Sequence, residues 1–156
     1  MAQPVRVGLV GCGNAAVFHF ASLQRVTGIP VEIVGVTSER RERREEFAAR
    51  RGIRAFDTLA AMLPEVDIVD NCTPGYAHEP VSSAALEACK HVIVEKPFTG
   101  YYGPPGDETF RGDRHPKAAM LEVAIASAAR VVAAARKSGR MLGYAENWIY
   151  APVVQK

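Results

Sequence analysis

The chain has 156 residues, 48% hydrophobic and 23% charged, with a formal net charge of +2. That length suits one domain with enough core to fold alone, and so small a charge excess gives no reason to expect nucleic acid or an anionic membrane as partner. No apolar run approaches the roughly 20 residues that span a bilayer, Met1-Ala2-Gln3-Pro4 carries no basic-then-apolar signal, and Cys12, Cys72 and Cys89, none in a CxxC, read as reduced thiols in a cytoplasmic protein.

Strand-like and helix-like stretches alternate from the start. Residues 5–10 form a short apolar run ending in glycines, as expected of a buried parallel strand. A helix is predicted over 14–26, with Asn14 near its start and Gly28 just past its end. The β-branched run 31–37 is a second strand, followed by a charged helix over 39–51. There Glu39–Arg43 and Glu46–Arg50 have the favourable i,i+4 order and Gly52 is the stop. A short strand at 53–56, a short helix at 58–63 and a fourth strand at 67–72 come next. Thr73-Pro74-Gly75 closes that strand, and a helix over 76–89 carries Pro80 in its first turn, where a missing N–H costs little. The fifth strand is 91–94. The stretch 99–116 is rich in Gly, Pro and charge and reads as a long loop. A helix over 118–137 then places Leu121, Ile125, Ala128, Val132 and Ala135 on one face, Gly139 ends it, and 141–145 is a sixth strand. Six strands alternating with helices predict a doubly wound parallel α/β sheet, a Rossmann fold of strand order 3-2-1-4-5-6. Its ligand is expected at the switch point above the first and fourth strands.

The strongest local motif is Val10-Gly11-Cys12-Gly13-Asn14-Ala15-Ala16, a G-x-G-x-x-A between the first strand and the first helix. Gly11 permits the tight turn, Gly13 lets a diphosphate approach the backbone, and Ala16 lets helix and strand pack closely. The N–H groups at the helix start, from Asn14 and Ala15 onward, then face the phosphates. At the tip of the second strand stands Ser38, followed by Glu39, Arg40 and Arg41. A hydroxyl with guanidinium groups suits the 2′-phosphate of NADP, so Ser38, Arg40 and Arg41 are assigned to it; Glu39 at the tip would instead suit the ribose of NAD. Arg43 and Arg44 are read as a solvated helix face. The fourth strand ends in Asp70-Asn71-Cys72-Thr73-Pro74 with His78 beyond. Asn71, Thr73 and Pro74 are expected over the cofactor, and His78 either caps its helix or faces the site. Glu95-Lys96-Pro97 follows the fifth strand. Lys96 there is either a surface lysine or the donor to a substrate oxygen as hydride moves, with Pro97 fixing its turn. Cys72 and Cys89 read as small core fillers, and no spacing of His, Cys, Asp and Glu suggests a metal site.

Taken together, the glycine loop, Asn71-Cys72-Thr73-Pro74 with His78, and Glu95-Lys96-Pro97 resemble the Gfo/Idh/MocA family of oxidoreductases over nearly the whole chain except the loop. The resemblance implies binding of NADP, or NAD, and hydride transfer at a hydroxyl-bearing carbon of a sugar- or polyol-like substrate. It implies Lys96 as the catalytic group beside the nicotinamide, with Glu95 and Pro97 at the cofactor, and a homo-oligomer at full length. It further implies a C-terminal α/β domain carrying most substrate contacts. On that basis 1–145 is the cofactor domain, with an insertion at about 99–117 that covers the site, makes a subunit contact or is a plain surface loop. Residues 146–156 are then the crossing into the second domain. Glu146 and Asn147 face the nicotinamide, and Trp148 and Tyr150 either pack between domains or serve the site. The chain is accordingly expected to be an inactive fragment. The alternative is a stand-alone, non-enzymatic nucleotide-binding or redox-sensing module. A methyltransferase using S-adenosylmethionine fits poorly, because Glu39 only approximates its acidic strand tip and Glu95-Lys96-Pro97 has no role in that chemistry.

Overall fold

The computed structural model describes residues 2–104, 106–107 and 109–146. Its centre is a six-stranded sheet, wholly parallel, in the order β3-β2-β1-β4-β5-β6. The strands are β1 (Val5–Val10), β2 (Val31–Thr37), β3 (Arg54–Ala55), β4 (Ile68–Asn71), β5 (His91–Glu95) and β6 (Leu142–Ala145). The helices are α1 (Asn14–Leu23), α2 (Arg41–Arg51), α3 (Leu59–Met62), α4 (His78–Glu87) and α5 (Lys117–Ser138). The predicted fold and strand order are both present. Parallel neighbours need crossovers, and the apolar strands separated by helices leave the chain little other choice.

Each face of the sheet has its own core. On one, Leu9, Val36 and Cys72 pack with Ala16 and Phe20 of α1 and Phe47 and Ala48 of α2. On the other, Val69, Val92 and Val94 pack with Met62, Ala85, Leu86 and Val131. Because strand side chains alternate, Asp70 and Cys72 look towards α1 while Val69 and Asn71 look towards α4.

Several boundaries and faces differ from the sequence reading. Helix α1 stops at Leu23 with Gln24 as its cap, well before Gly28. Helix α2 starts at Arg41, so Glu39 precedes it and the Glu39–Arg43 pair does not form; Arg41–Glu45 forms instead beside the expected Glu46–Arg50 pair. Gly52 and Gly139 end their helices in the left-handed conformation as expected, and Cys89 adopts the same conformation, at φ 58°, after α4. Cys89 is exposed, not a core filler.

The largest misreading concerns α5. Its inward stripe is Ser127 and Val131 with Ala124, Ala134 and Ala135, whereas Leu121 and Ile125 are 59% and 58% exposed. Alanine occurs on every side of this helix, so the apolar pattern had no unique phase. By length and composition alone α5 is apolar enough to cross a membrane. In this fold it packs along α4, and Arg130 pairs with Glu79 there.

Candidate nucleotide cleft at the carboxyl edge of the sheet

An open cleft of about 630 Å³ lies at the carboxyl ends of β1, β2 and β4. Val10, Gly11, Cys12, Gly13, Asn14 and Ala15 form its floor. Thr37, Ser38, Glu39, Arg40 and Arg43 stand on one side, and Thr73, Pro74 and Tyr76 on the other. Its size and its place at the switch point suit a small-molecule ligand.

The floor follows from the glycine loop. Gly11 is buried at φ +106°, its N–H donating to the Thr37 carbonyl at 2.8 Å, and a Cβ there would lie 2.6 Å from the Cys72 carbonyl oxygen. Only glycine lets β1, β2 and β4 converge this closely. Gly13, by contrast, is exposed, and a Cβ on it would meet nothing within 4 Å, so the space it leaves open faces the cleft and not the protein. Gly13 is the N-cap of α1, no side chain caps that helix, and no acidic residue occupies its first turn. The first-turn amides of Asn14, Ala15 and Ala16 have no intrahelical acceptors, which leaves them as donors of the kind an anion accepts from. Ala16 is fully buried against the sheet.

The arginines sort differently from the sequence reading. Arg40 and Arg43 line the cleft, while Arg41 is turned to Glu45 at 2.8 Å and is not among the lining residues. Arg44 is buried. It donates to the Ser38 and Asp57 carbonyls at 3.0 and 3.2 Å and to the Asp57 carboxylate at 2.6 Å. Its solvated reading is thus wrong: helix phase puts Arg43 over the cleft and drives Arg44 beneath the β2 tip, where it braces both walls. Arg44→Ala strips three acceptors. The Asp57 side chain is 89% exposed, so no carboxylate is stranded in a dry interior. The expected loss is about 2 kcal/mol in urea unfolding, with weakened nucleotide affinity because Ser38 and Asp57 both line the cleft.

Asn71 and His78 lie behind the cleft. Asn71 is fully buried; its amide donates to the His78 carbonyl and to Ser82 Oγ, and its Oδ1 accepts from Thr73 N–H and Oγ1. His78, 1% exposed, bridges the Pro97 carbonyl through Nδ1 at 2.8 Å and the Thr73 carbonyl through Nε2 at 2.9 Å. It neither caps α4 nor faces the cleft. Together these two side chains set the turns after β4 and β5.

Glu95, Lys96 and Pro97 stand one strand further along the same edge, outside the lining of the cleft, with Lys96 exposed and its peptide bond to Pro97 cis. Glu95 is not free. One oxygen accepts the Lys96 N–H at 2.9 Å and the other lies 3.0 Å from His19 Nε2. His19, on α1, places Nδ1 at 2.9 and 3.0 Å from the two oxygens of Asp70. Hydrogen bonding to Asp70, foremost, raises the His19 pKa to about 9, helped by the charges of Asp70 and Glu95 against the opposing effect of burial. The sequence reading missed His19; its only local signal was a polar residue three positions past Ala16, on the face of α1 turned to the sheet. Cys72 Sγ lies 3.6 Å from Asp70, and burial chiefly pushes its thiol pKa far up, so it stays neutral. His19, Asp70 and Cys72 bring potential ligand atoms within 4.8 Å of one another. Both ring nitrogens are engaged by carboxylates, so the group reads as an ion-paired cluster. Asn147, Trp148 and Tyr150 lie outside the described residues.

A sequence profile of the oxidoreductase family with an NAD-binding Rossmann fold, GFO_IDH_MocA, matches residues 5–103. The UDP-N-acetylglucosamine 3-dehydrogenase of Acidithiobacillus ferrooxidans is 37% identical over 95 residues, covering 61% of this chain and 29% of that protein. Among solved structures, GenD2 from gentamicin A biosynthesis in complex with NAD superposes with a TM-score of 0.75 at 26% identity, over 97% of this chain and 37% of that one. A variant of a 3-ketoreductase from Actinomadura kijaniata, in complex with TDP-benzene and NADP, gives 0.76 at 25% identity, over 98% and 41%. The chain therefore spans well under half the length of these relatives.

Proposed function

This chain belongs to the GFO_IDH_MocA oxidoreductase family with its NAD-binding Rossmann fold, and from that premise we propose that it holds NADP(H) for hydride transfer at a hydroxyl-bearing carbon of a sugar-like substrate. The observation that carries the reading is the uncapped start of α1 behind Gly11 and Gly13, opening into a cleft at the sheet's switch point. The first-turn amides of α1 would hold the linked phosphates. Ser38, Arg40 and Arg43 would receive a 2′-phosphate, with Arg43 taking the place assigned from sequence to Arg41. The nicotinamide, when bound, accepts or gives up the hydride. Lys96, at the tip of β5, would donate to the substrate oxygen or take its proton. Relatives named for action on nucleotide-linked sugars support a sugar-like substrate.

Glu39 also lines the cleft and favours a second reading, in which its carboxylate binds the ribose hydroxyls of NAD. Parallel titrations of NADPH and NADH separate the two. Arg40→Ala and Arg43→Ala are each expected to weaken NADPH several-fold, about 1 kcal/mol, and to leave NADH nearly unchanged. Equal affinities, or a preference for NADH, would overturn the NADP assignment. Binding of neither would overturn the cofactor reading itself.

A further inference from the structure

His19, Asp70 and Glu95 lie outside the lining of the cleft, yet they join the elements that a dehydrogenase site must keep in register. Its ring spans from Asp70, 1% exposed on β4, to Glu95 at the tip of β5, from a position on the helix whose N-terminus faces the cleft. Both carboxylates are hydrogen-bond acceptors, so the geometry is complete when both ring nitrogens carry hydrogens. The charged groups around the ring are Asp70 and Glu95; Cys72 on β4 is a neutral thiol, and α1 itself carries no other charge. Glu95 is held on its other side by the Lys96 N–H.

We propose that His19 is a positioning residue for Lys96: the imidazolium holds the Glu95 carboxylate where it accepts the Lys96 amide, and so ties the lysine turn to the helix that binds the cofactor phosphates. The proposal rests on the assignment of Lys96 as the acting group. Without the ring's positive charge, Asp70 and Glu95 face each other as like charges, Glu95 swings towards solvent, and the Lys96 amide loses its acceptor. One rigid element, α1, would then align both the phosphate end of the cofactor and the reacting end of the site.

The His19 pKa lies above its ordinary value of 6.5, at about 9. The clamp's contribution to stability is therefore complete below pH 6.5 and is lost as pH rises through about 9. The gap in stability between wild type and His19→Gln should close across that window.

The test uses the ¹³C,¹⁵N-labelled full chain, following the Lys96 amide nitrogen by ¹³C detection and the His19 ring carbons from about pH 6 to 11. The Lys96 amide is expected to shift with the same midpoint as the His19 ring. In His19→Gln that step should vanish, and Lys96 amide exchange at neutral pH should rise about tenfold or more. Glu95→Gln should abolish the step at Lys96 while lowering the His19 midpoint. A Lys96 amide indifferent to His19 titration in the wild type overturns the proposal, as does a step that persists in Glu95→Gln. Should His19→Gln fail to fold, the wild-type and Glu95→Gln titrations still decide. NADPH titration of the wild type is independent of this: failure to bind with the co-titration intact sinks the cofactor reading and leaves the clamp standing.

Discussion

Replacing Gly11 by alanine is expected to cost about 3 kcal/mol or more of folding stability and to abolish nucleotide binding together with it. Two effects add. The backbone sits at φ +106°, where an L side chain is strained. The new Cβ also meets the Cys72 carbonyl oxygen at 2.6 Å and its carbon at 2.9 Å, and these are main-chain atoms of the residue that follows β4, not the free end of a side chain. Either β1 or β4 must shift, and the cleft floor shifts with it. Gly13→Ala is the control. A Cβ there has nothing within 4 Å, so unfolding should change by no more than about 1 kcal/mol, while NADPH affinity falls tenfold or more because the methyl group occupies the approach of the diphosphate. Urea unfolding and fluorescence titration of NADPH on both variants decide the matter. If Gly13→Ala binds as the wild type does, the diphosphate does not lie on this loop.

His78→Leu is expected to lower stability by about 3 kcal/mol and to loosen two turns at once. The ring is 1% exposed, and its Nε2 and Nδ1 lie 2.9 and 2.8 Å from the carbonyl oxygens of Thr73 and Pro97, 5 and 19 residues away in sequence; the nitrogen that carries the hydrogen donates to its carbonyl. Leucine fills much of the volume but cannot donate to either carbonyl, and the hydrogen bond lost in a buried setting outweighs the retained apolar contact. The Thr73 turn lines the cleft and the Pro97 turn carries Lys96, so nucleotide affinity should fall along with stability. His78→Gln, whose amide can donate to one of the two carbonyls, should recover part of the loss. A His78→Leu protein as stable as the wild type would mean that the bridge contributes little and that Asn71, with its bonds to Thr73 and Ser82, holds the turn without it.

These two positions mark how far the sequence could be read. Gly11, Gly13 and Ala16 act through their neighbours in the chain, at a strand-to-helix junction whose geometry is local. Their placement alone announced the turn and the helix start. Strand order was equally accessible, since short apolar strands alternating with helices admit few parallel arrangements. Family signature residues pointed to the carboxyl edge, and that is where Thr73, Pro74 and Lys96 stand.

What a residue does when its partner is distant was another matter. Arg43 and Arg44 are adjacent and alike in composition. Which one lines the cleft and which one braces Ser38 and Asp57 depends on how α2 is rotated against the sheet, which the residue types do not specify. Helix α5 offered apolar residues on all sides, and only α4 beside it selected Ser127 and Val131 as the inward stripe. His19 stands 51 residues from Asp70 and 76 from Glu95. Sequence periodicity carries the spacing of residues along one element, and so by itself it determined the α/β order, the glycine turn and the class of ligand. Contacts across elements depend on rotation, depth and register, which arise only when the helices settle on the sheet; the tertiary structure alone therefore decided the arginine brace, the His78 bridge and the ion-paired ring beneath Lys96.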